Sequence, residues 1–394
     1  MREFLTSQLG VSAILALVVF GGMQGAVAYC IYFERKVAAW VQDRWGPNRA
    51  GPMGLLQPIA DGVKFLLKED IIPGHVDKPL FILAPGLIFL VGFIGFAAIP
   101  WGGAWEIGGK IVQIQVANPD IGLLYVLGVA SMSVYGVVLG GYASNNKYSF
   151  YGAVRATAQM LSYEIPMGLC ILIVVITLGT LRLEEIVTQQ AGTWWGVVPM
   201  WNVFLHPLAF FILFVCALAE SNRAPFDMAE AEQELVGGYH TEYGALKFGM
   251  FFLAEYAHMI TGSALIAVLF FGGWHLPWIP WTQAEATQWY AVLAKMAAMG
   301  AKITIFLFVM MWIRWTLPRF RFDQLMRLAW KGLIPVTLGL VVLAVGLLYF
   351  GQHRTVWALA GNVALVALVA IIGAARRTEI TGREENLPAV PQVG

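Results

Sequence analysis

Residues 219–238 read AESNRAPFDMAEAEQELVGG: five acids and a single arginine directly behind seventeen largely apolar residues. The acids are Glu220, Asp227, Glu230, Glu232 and Glu234, and the arginine is Arg223. Glu242 and Glu255 continue the series, Glu255 from well inside an apolar run. Glu164 opens another such run, and Lys295 and Lys302 sit seven apart on one helical face. A charged side chain near mid-bilayer costs about 2.5–3.5 kcal/mol on insertion scales, so Glu255 is expected to face a polar interior. Carboxylates crowded in low dielectric cannot all ionise; their protons are shared. A row of this kind can hold protons near neutral pH and pass them on. A metal site is the weaker reading, because no His or Cys joins the acids at ligand spacing.

The same stretch has an ordinary account as a capped surface helix. Pro225 cannot continue a helix begun before it and biases Ala224 away from helical geometry. Asp227 and Glu230 have the spacing of a capping box, Gly237–Gly238 can end a short helix, and Arg223 lies within one turn of Glu220 and Asp227. That account leaves over Glu232, Glu234, Glu242 and Glu255. Arg35, Arg44 and Arg49 crowd one loop, and RWTLPRFRFDQLMR adds four more arginines. Orientation signals and lipid headgroup contacts explain most of them, though a basic face also suits docking of an acidic soluble partner.

These residues sit in a chain of 394 residues that is 59% hydrophobic and 12% charged, with a mean hydropathy of +0.69. About a quarter of an average soluble chain is charged, so the composition implies an integral membrane protein. The net charge of +1 points to no nucleic acid or acidic ligand. Cys30, Cys170 and Cys216 lie singly in apolar runs, which argues against disulfides, zinc or iron–sulfur ligation. A phosphate-loop-like GGAWEIGGKI at 102–111 has Ala104 in place of the first Gly and Ile111 after the Lys. No nucleotide fingerprint, haem pair or nucleophile triad is present, so any redox chemistry belongs to partners.

A hydrocarbon core about 30 Å thick needs about 20 apolar residues of helix. Nine runs qualify, at 11–33, 81–101, 121–143, 163–181, 203–219, 246–273, 291–313, 332–351 and 355–374. The fold class expected is an all-α polytopic membrane protein with about nine spans, or eight if the last two runs form one kinked unit. The N-terminus reads as an uncleaved first span, because no small-residue cleavage site follows it. With the N-terminus outside, nineteen Lys and Arg residues fall on inner segments and four on outer ones. That asymmetry places the C-terminus inside. Residues 1–374 form a single membrane domain with inner loops at 34–80, 144–162, 220–245 and 314–331. The tail 375–394 has no apolar period and is expected to be disordered. The third run has no charge, so a proton relay across it needs water, Ser131 or Tyr135.

Within the first inner loop, GLLQPIADGVKFLLK puts Leu56, Ile59, Val63, Leu66 and Leu67 on one helical face, with Asp61, Lys64 and Lys68 off it. An amphipathic helix on the membrane surface accounts for the stripe. The mid-helix acid is left over, unless it pairs with Lys64.

Four long stretches in order carry a resemblance. They are ERKVAAWVQDRWGPNRAGPMGLLQPIADGVKFLLKEDIIP (34–73), AQMLSYEIPMGL (158–169), AESNRAPFDMAEAEQELVGGYHTEYGALKFGMFFLAEY (219–256) and LPRFRFDQLMRLAWK (317–331). Over residues 11–350 the chain resembles the H-subunit family of bacterial NADH:quinone oxidoreductase, respiratory complex I, related to mitochondrial NADH dehydrogenase subunit 1. The resemblance implies a multi-pass subunit of the bacterial cell membrane where the membrane and hydrophilic arms meet. Such a subunit forms part of a quinone chamber and the start of a proton-coupling path. It binds quinone as substrate and holds no cofactor alone; NADH, FMN and iron–sulfur clusters reside on partner subunits. By position, Arg35, Arg44, Asp61 and Arg223 match quinone-site residues. Glu164, Glu220, Asp227, Glu230, Glu232, Glu234, Glu242 and Glu255 match an acidic path, and Lys302 matches a basic position of the seventh helix. Partners then include hydrophilic subunits on the inner face, small membrane-arm subunits at the sides, and lipid.

Two other functions fit parts of this pattern. The related membrane subunit of energy-converting hydrogenases or formate hydrogenlyase lacks quinone chemistry, and the intact loop 34–73 with Asp61 favours the quinone enzyme. A stand-alone ion carrier also uses intramembrane acids and lysines; that chain would move ions alone in liposomes.

Overall fold

A computed structural model describes residues 8–107, 109–194, 198–228, 232–352 and 356–385. Among them, seven helices are long and apolar enough to cross a membrane: Gln8–Val41, Lys78–Ala98, Gly122–Ala143, Lys147–Leu178, Ala245–Phe270, Trp289–Thr316 and Phe322–Tyr349. Two shorter apolar helices, Pro207–Glu220 and Trp357–Ile371, cover the runs at 203–219 and 355–374. The first of these starts late because Pro207 fits only a helix's first turn. It is preceded by a separate turn at Asn202–Leu205.

The helices used below are α1 (Gln8–Val41), α2 (Gln57–Leu67), α3 (Lys78–Ile94), α4 (Gly122–Ser131), α5 (Ser133–Ala143), α6 (Lys147–Leu178), α7 (Leu183–Gln189), α8 (Pro207–Glu220), α9 (Ala245–Phe270), α10 (Trp289–Thr316), α11 (Phe322–Arg327), α12 (Ile334–Tyr349) and α13 (Val356–Glu385). A π-helical turn, Leu328–Leu333, joins α11 to α12. Helix α13 carries on through 375–385, where the sequence has no apolar period, and 386–394 lie outside the described residues. Two small antiparallel strand pairs are present among the described residues. One pairs Ala104–Ile107 with Lys110–Gln113, so the stretch that looked like a phosphate loop is a hairpin, with Gly109 at φ 79° in its turn. The other pairs Thr193–Trp194 with Val198–Pro199.

Several helices outrun their apolar segments on one side. At 1.5 Å per residue the 34 residues of α1 extend about 51 Å, well beyond a hydrocarbon core of about 30 Å. Its last turns therefore carry Glu34, Arg35 and Lys36 past the lipid and alongside other helices. Helix α6 likewise begins at Lys147, sixteen residues before its apolar run. Asn146 caps it, its side chain accepting from Tyr148 N.

Helix α9 is the axis of the bundle. Its most apolar window is 72% buried, far more than that of any other span, and α1, α2, α3, α8 and α10 pack around it. Helix α6 forms a second axis, touching α5, α8 and α12. Between α3 and α5 the approach is close enough to require glycine. A Cβ at Gly136 would stand 2.8 Å from Ile88 Cβ and 3.3 Å from Ala84 O, the small-residue packing that membrane bundles use in place of hydrophobic drive.

Candidate functional site

A cavity of about 380 Å³ lies where α1, α2, α3 and α9 meet. Most of its wall is apolar, supplied by Ile31, Phe65, Phe89, Phe93, Phe252 and Leu253. Its polar groups come from α1 and α2: Gln24, Tyr32, Arg35, Gln57 and Asp61. Asp61 is the centre of that polar edge. Its carboxylate pairs with Arg35 at 2.8 Å and Lys64 at 3.5 Å and accepts from Gln57 Nε2 at 3.2 Å. The Lys64 pairing expected from spacing is therefore present, but Arg35 is the nearer cation. All five residues of the apolar stripe, Leu56, Ile59, Val63, Leu66 and Leu67, are exposed, and Leu66 also borders the cavity beside Phe65. Asp61 is thus turned to the cavity and the stripe faces out, as on an amphipathic helix. The loop ahead of α2 is held by Tyr32, whose hydroxyl donates to Met53 O at 2.7 Å. The loop behind it is held by Lys247, paired with Asp70 at 2.5 Å.

Behind Phe252 lies a cluster of four charges, three of them buried and the fourth, Arg314, partly exposed. Arg223 reaches Glu255 at 3.3 Å and Glu34 at 3.6 Å, and Arg314 also binds Glu34. Tyr256 donates to Glu34 at 2.7 Å and Tyr239 to Glu255 at 3.2 Å. The Arg223 guanidinium lies over the rings of Tyr256, at 4.1 Å, and Phe252, at 5.0 Å. Phe252 therefore forms cavity wall on one side and a cation–π partner on the other. Two carboxylates and two guanidiniums balance, which meets the requirement that buried charges be paired. Glu255 is 5% exposed, as its place in an apolar run demanded.

The loop 221–228 aims Arg223 into this cluster. Asn222, at φ 50°, turns the chain sharply after α8. Gln159 of α6 then anchors the loop, its amide donating to Ala219 O at 2.8 Å and Phe226 O at 2.6 Å. Arg319 binds the Asp227 backbone carbonyl and lies 3.8 Å from its carboxylate. Phe320 N donates to Pro225 O at 3.2 Å. Asp227 thus ties this loop to the segment before α11.

The remaining expected site residues are spread along the molecule. Glu234, at the end of a short helix Glu232–Leu235, has a 60% exposed side chain and pairs with Arg155 at 2.5 Å. Glu242 accepts from Asn146 at 2.6 Å, beside the cap of α6. Glu230 lies outside the described residues, as does the side chain of Glu232. Glu164 borders an open groove between α4 and α6, and Glu220 feels its charge across the α6–α8 contact. Arg44 is in the turn after α1, bonded to Gln42 at 2.8 Å and absent from the cavity wall.

Lys302 is held elsewhere. Its ammonium donates to three backbone carbonyls, Phe271 at 2.6 Å and Gly273 and His275 at 2.7 Å each. These lie just past the end of α9, about 24 Å along the axis from Glu255. Lys302 therefore satisfies carbonyls that the helix end leaves open. Beside it, Lys295 stacks over Trp274 at 4.6 Å, and Trp274 donates to Glu184 of α7 at 3.5 Å. Burial raises the pKa of Glu184, against the opposing pull of Trp274 and Lys295. Burial, with help from Lys302 and Lys295, lowers His275 to about 4, so it is neutral at pH 7.

Sequence reasoning missed Glu34, Arg314, Tyr239 and Tyr256. Glu34 stands one residue past the first apolar run, where the inner loop 34–80 begins, and was not singled out; Arg314 was counted among the arginines that set orientation. Both signals were available, since each terminates an apolar run that a helix can prolong. The partner across 280 residues was not.

A family model described as NADH dehydrogenase matches residues 13–345. The chain belongs to the NADH dehydrogenase family. Bacterial members named as the H subunit of NADH-quinone oxidoreductase match most of the chain. That of Cytophaga hutchinsonii, numbered H 1, is 50% identical over 325 residues, covering 82% of this chain and 93% of the relative. That of Flavobacterium johnsoniae is 47% identical, covering 83% and 91%. The Leptospira biflexa relative is 48% identical, covering 84% and 93%. With seven long apolar helices, this member of the NADH dehydrogenase family is a multi-pass membrane protein.

Proposed function

We propose that this chain is the H subunit of a bacterial NADH-quinone oxidoreductase, and that the α1–α2–α3–α9 cavity receives the quinone head group. The observation that carries the reading is the shared wall. A cavity with an apolar body and one polar edge fits a ligand with a flat polar head and an isoprenoid tail. The same wall, Phe252, supports the buried Arg223. NADH oxidation and electron delivery fall to partner subunits, and this chain supplies the membrane side of the site. By the positive-inside asymmetry the cavity and charged cluster lie toward the inner face, where the hydrophilic partners dock.

Asp61 and Arg35 offer the head group a carboxylate and a guanidinium. Reducing a quinone to quinol takes two electrons and two protons, so charge and protons near Asp61 change during turnover. A unit charge about 10 Å away, at an effective dielectric of about 20, alters the energy of a neighbouring ionised group by roughly 1.7 kcal/mol. That is about one pKa unit. The neutral cluster Glu34–Arg223–Glu255–Arg314 is poised to respond to such a change, and it leads toward Glu220 and Glu164. On this reading Glu234, Asp227 and Glu242 serve the loop side of the route and Lys302 its far end, and Glu255 has the central role, a reading supported by its pairing with Arg223.

Asp61→Asn and Glu255→Gln, made in the native complex, test the reading. Each is expected to lower NADH:quinone reductase activity about tenfold or more. Electron transfer from NADH to a soluble artificial acceptor, which needs no quinone site, should be unchanged. Normal quinone reductase activity in both variants would overturn the proposal.

A further inference from the structure

A second, smaller chamber of about 30 Å³ lies deeper in the bundle, between α4, α6, α8 and α9. Its polar lining consists of Glu220, His258 and Thr261, within a shell of Leu, Ile, Val and Ala side chains. His258 Nε2 is sealed from solvent and makes no hydrogen bond in the structure. A buried ring nitrogen without a partner is costly and calls for water or a ligand. Glu220 forms no ion pair among the described residues. Thr261 donates to Ala257 O at 2.9 Å, which leaves its oxygen lone pairs free to accept. A water needs roughly 10–15 Å³ of such space and two to four polar partners. The chamber meets both conditions.

We infer that this chamber holds one or two waters that join Glu220 to His258, and that His258 is a proton-relay residue. The imidazole either takes a proton from the Glu220 carboxyl through the water or returns one, and no other reactant is needed. The charge-free third span lines the chamber through Val126, Leu127 and Ala130. A hydrated acid–imidazole pair beside it supplies the proton-holding groups that the span lacks. His258 is on α9, three residues beyond Glu255 and so on a neighbouring face, with Lys302 as the cation nearest the far end of that helix. The groups facing His258 from the packed elements are Glu220 on α8 and Thr261 on its own helix; α4 and α6 present only apolar side chains to the chamber.

The inference rests on the proposed quinone reading, and the test separates the two. In the native complex, His258→Gln keeps a hydrogen-bonding side chain but cannot carry a proton, and His258→Leu removes both. Quinone reductase and proton pumping are expected to fall at least fivefold in both variants, with NADH oxidation by an artificial acceptor unchanged. Redox-induced infrared difference spectra add a readout that a packing defect would not give. A carboxyl C=O band lost in Glu220→Gln should shift in His258→Gln. Wild-type pumping and an unshifted band in His258→Gln would overturn the relay. If Asp61→Asn slows quinone reduction while His258→Gln pumps normally, the relay fails and the quinone site stands. If Asp61→Asn and Glu255→Gln are also normal, the quinone reading fails first.

Discussion

At the scale of residues, three buried charges and the partly exposed Arg314 make one another tolerable. Glu34 is the hub: it binds Arg223 and Arg314 and accepts from Tyr256. Removing one partner of such a network strands the others in low dielectric, which typically costs about 3–5 kcal/mol. Glu34→Ala should therefore sharply reduce the thermal stability of the purified complex and the amount assembled. Glu34→Gln, which keeps the shape and one accepting oxygen, should assemble better. Equal melting temperatures for Glu34→Ala and wild type would remove Glu34 from this role. Glu255 was legible in the sequence because a carboxylate inside an apolar run has few tolerable environments. Glu34 was not, since its burial depends on Arg223 and Arg314, which reach it from distant segments. Asp61 was legible as a misfit in an amphipathic stripe, but not its pairing with Arg35, which requires α1 to continue as helix past the lipid. Lys302 was legible as a lysine inside an apolar run, but not its three carbonyl partners, which come from the segment past α9.

Among elements, helix length matters more than helix count. Seven of the nine apolar runs fall in helices long enough to span and two in shorter ones, because hydrocarbon forces backbone groups into internally bonded helices. They underestimated α1 and α6, whose polar extensions are stabilised by packing against other helices rather than by lipid. Runs of apolarity mark where a helix meets lipid, not where it ends. The hairpin at 104–113 was also invisible to that reading, since four-residue strands carry no usable period. Packing between elements gives the sharpest prediction here. Gly136→Leu forces α5 away from α3, against Ile88 and the Ala84 carbonyl. Overpacking of this sort costs typically about 1–3 kcal/mol. The variant complex should melt at lower temperature, and Gly136→Ala should lie between it and wild type. An unchanged melting curve for Gly136→Leu would mean that α3 and α5 do not approach so closely.

On the scale of the whole molecule, the chain brings a cavity and an ionic cluster together around one central helix, α9. Asp61 and Arg35 stand on one side of that helix and Glu255 and Arg223 on another, with Phe252 between them. This joint was beyond the reach of sequence, because it depends on which face of α9 each group meets. On the proposed reading, electrons would reach the cavity from a partner subunit, since the sequence carries no recognisable redox motif. The most direct measurement of the central claim is photolabelling of the intact complex with a light-activated quinone analogue, followed by peptide mapping. Label is expected on residues 24–35, 57–66 or 249–253, displaced by excess native quinone. Label confined to other parts of the chain, or undiminished by native quinone, would contradict the claim.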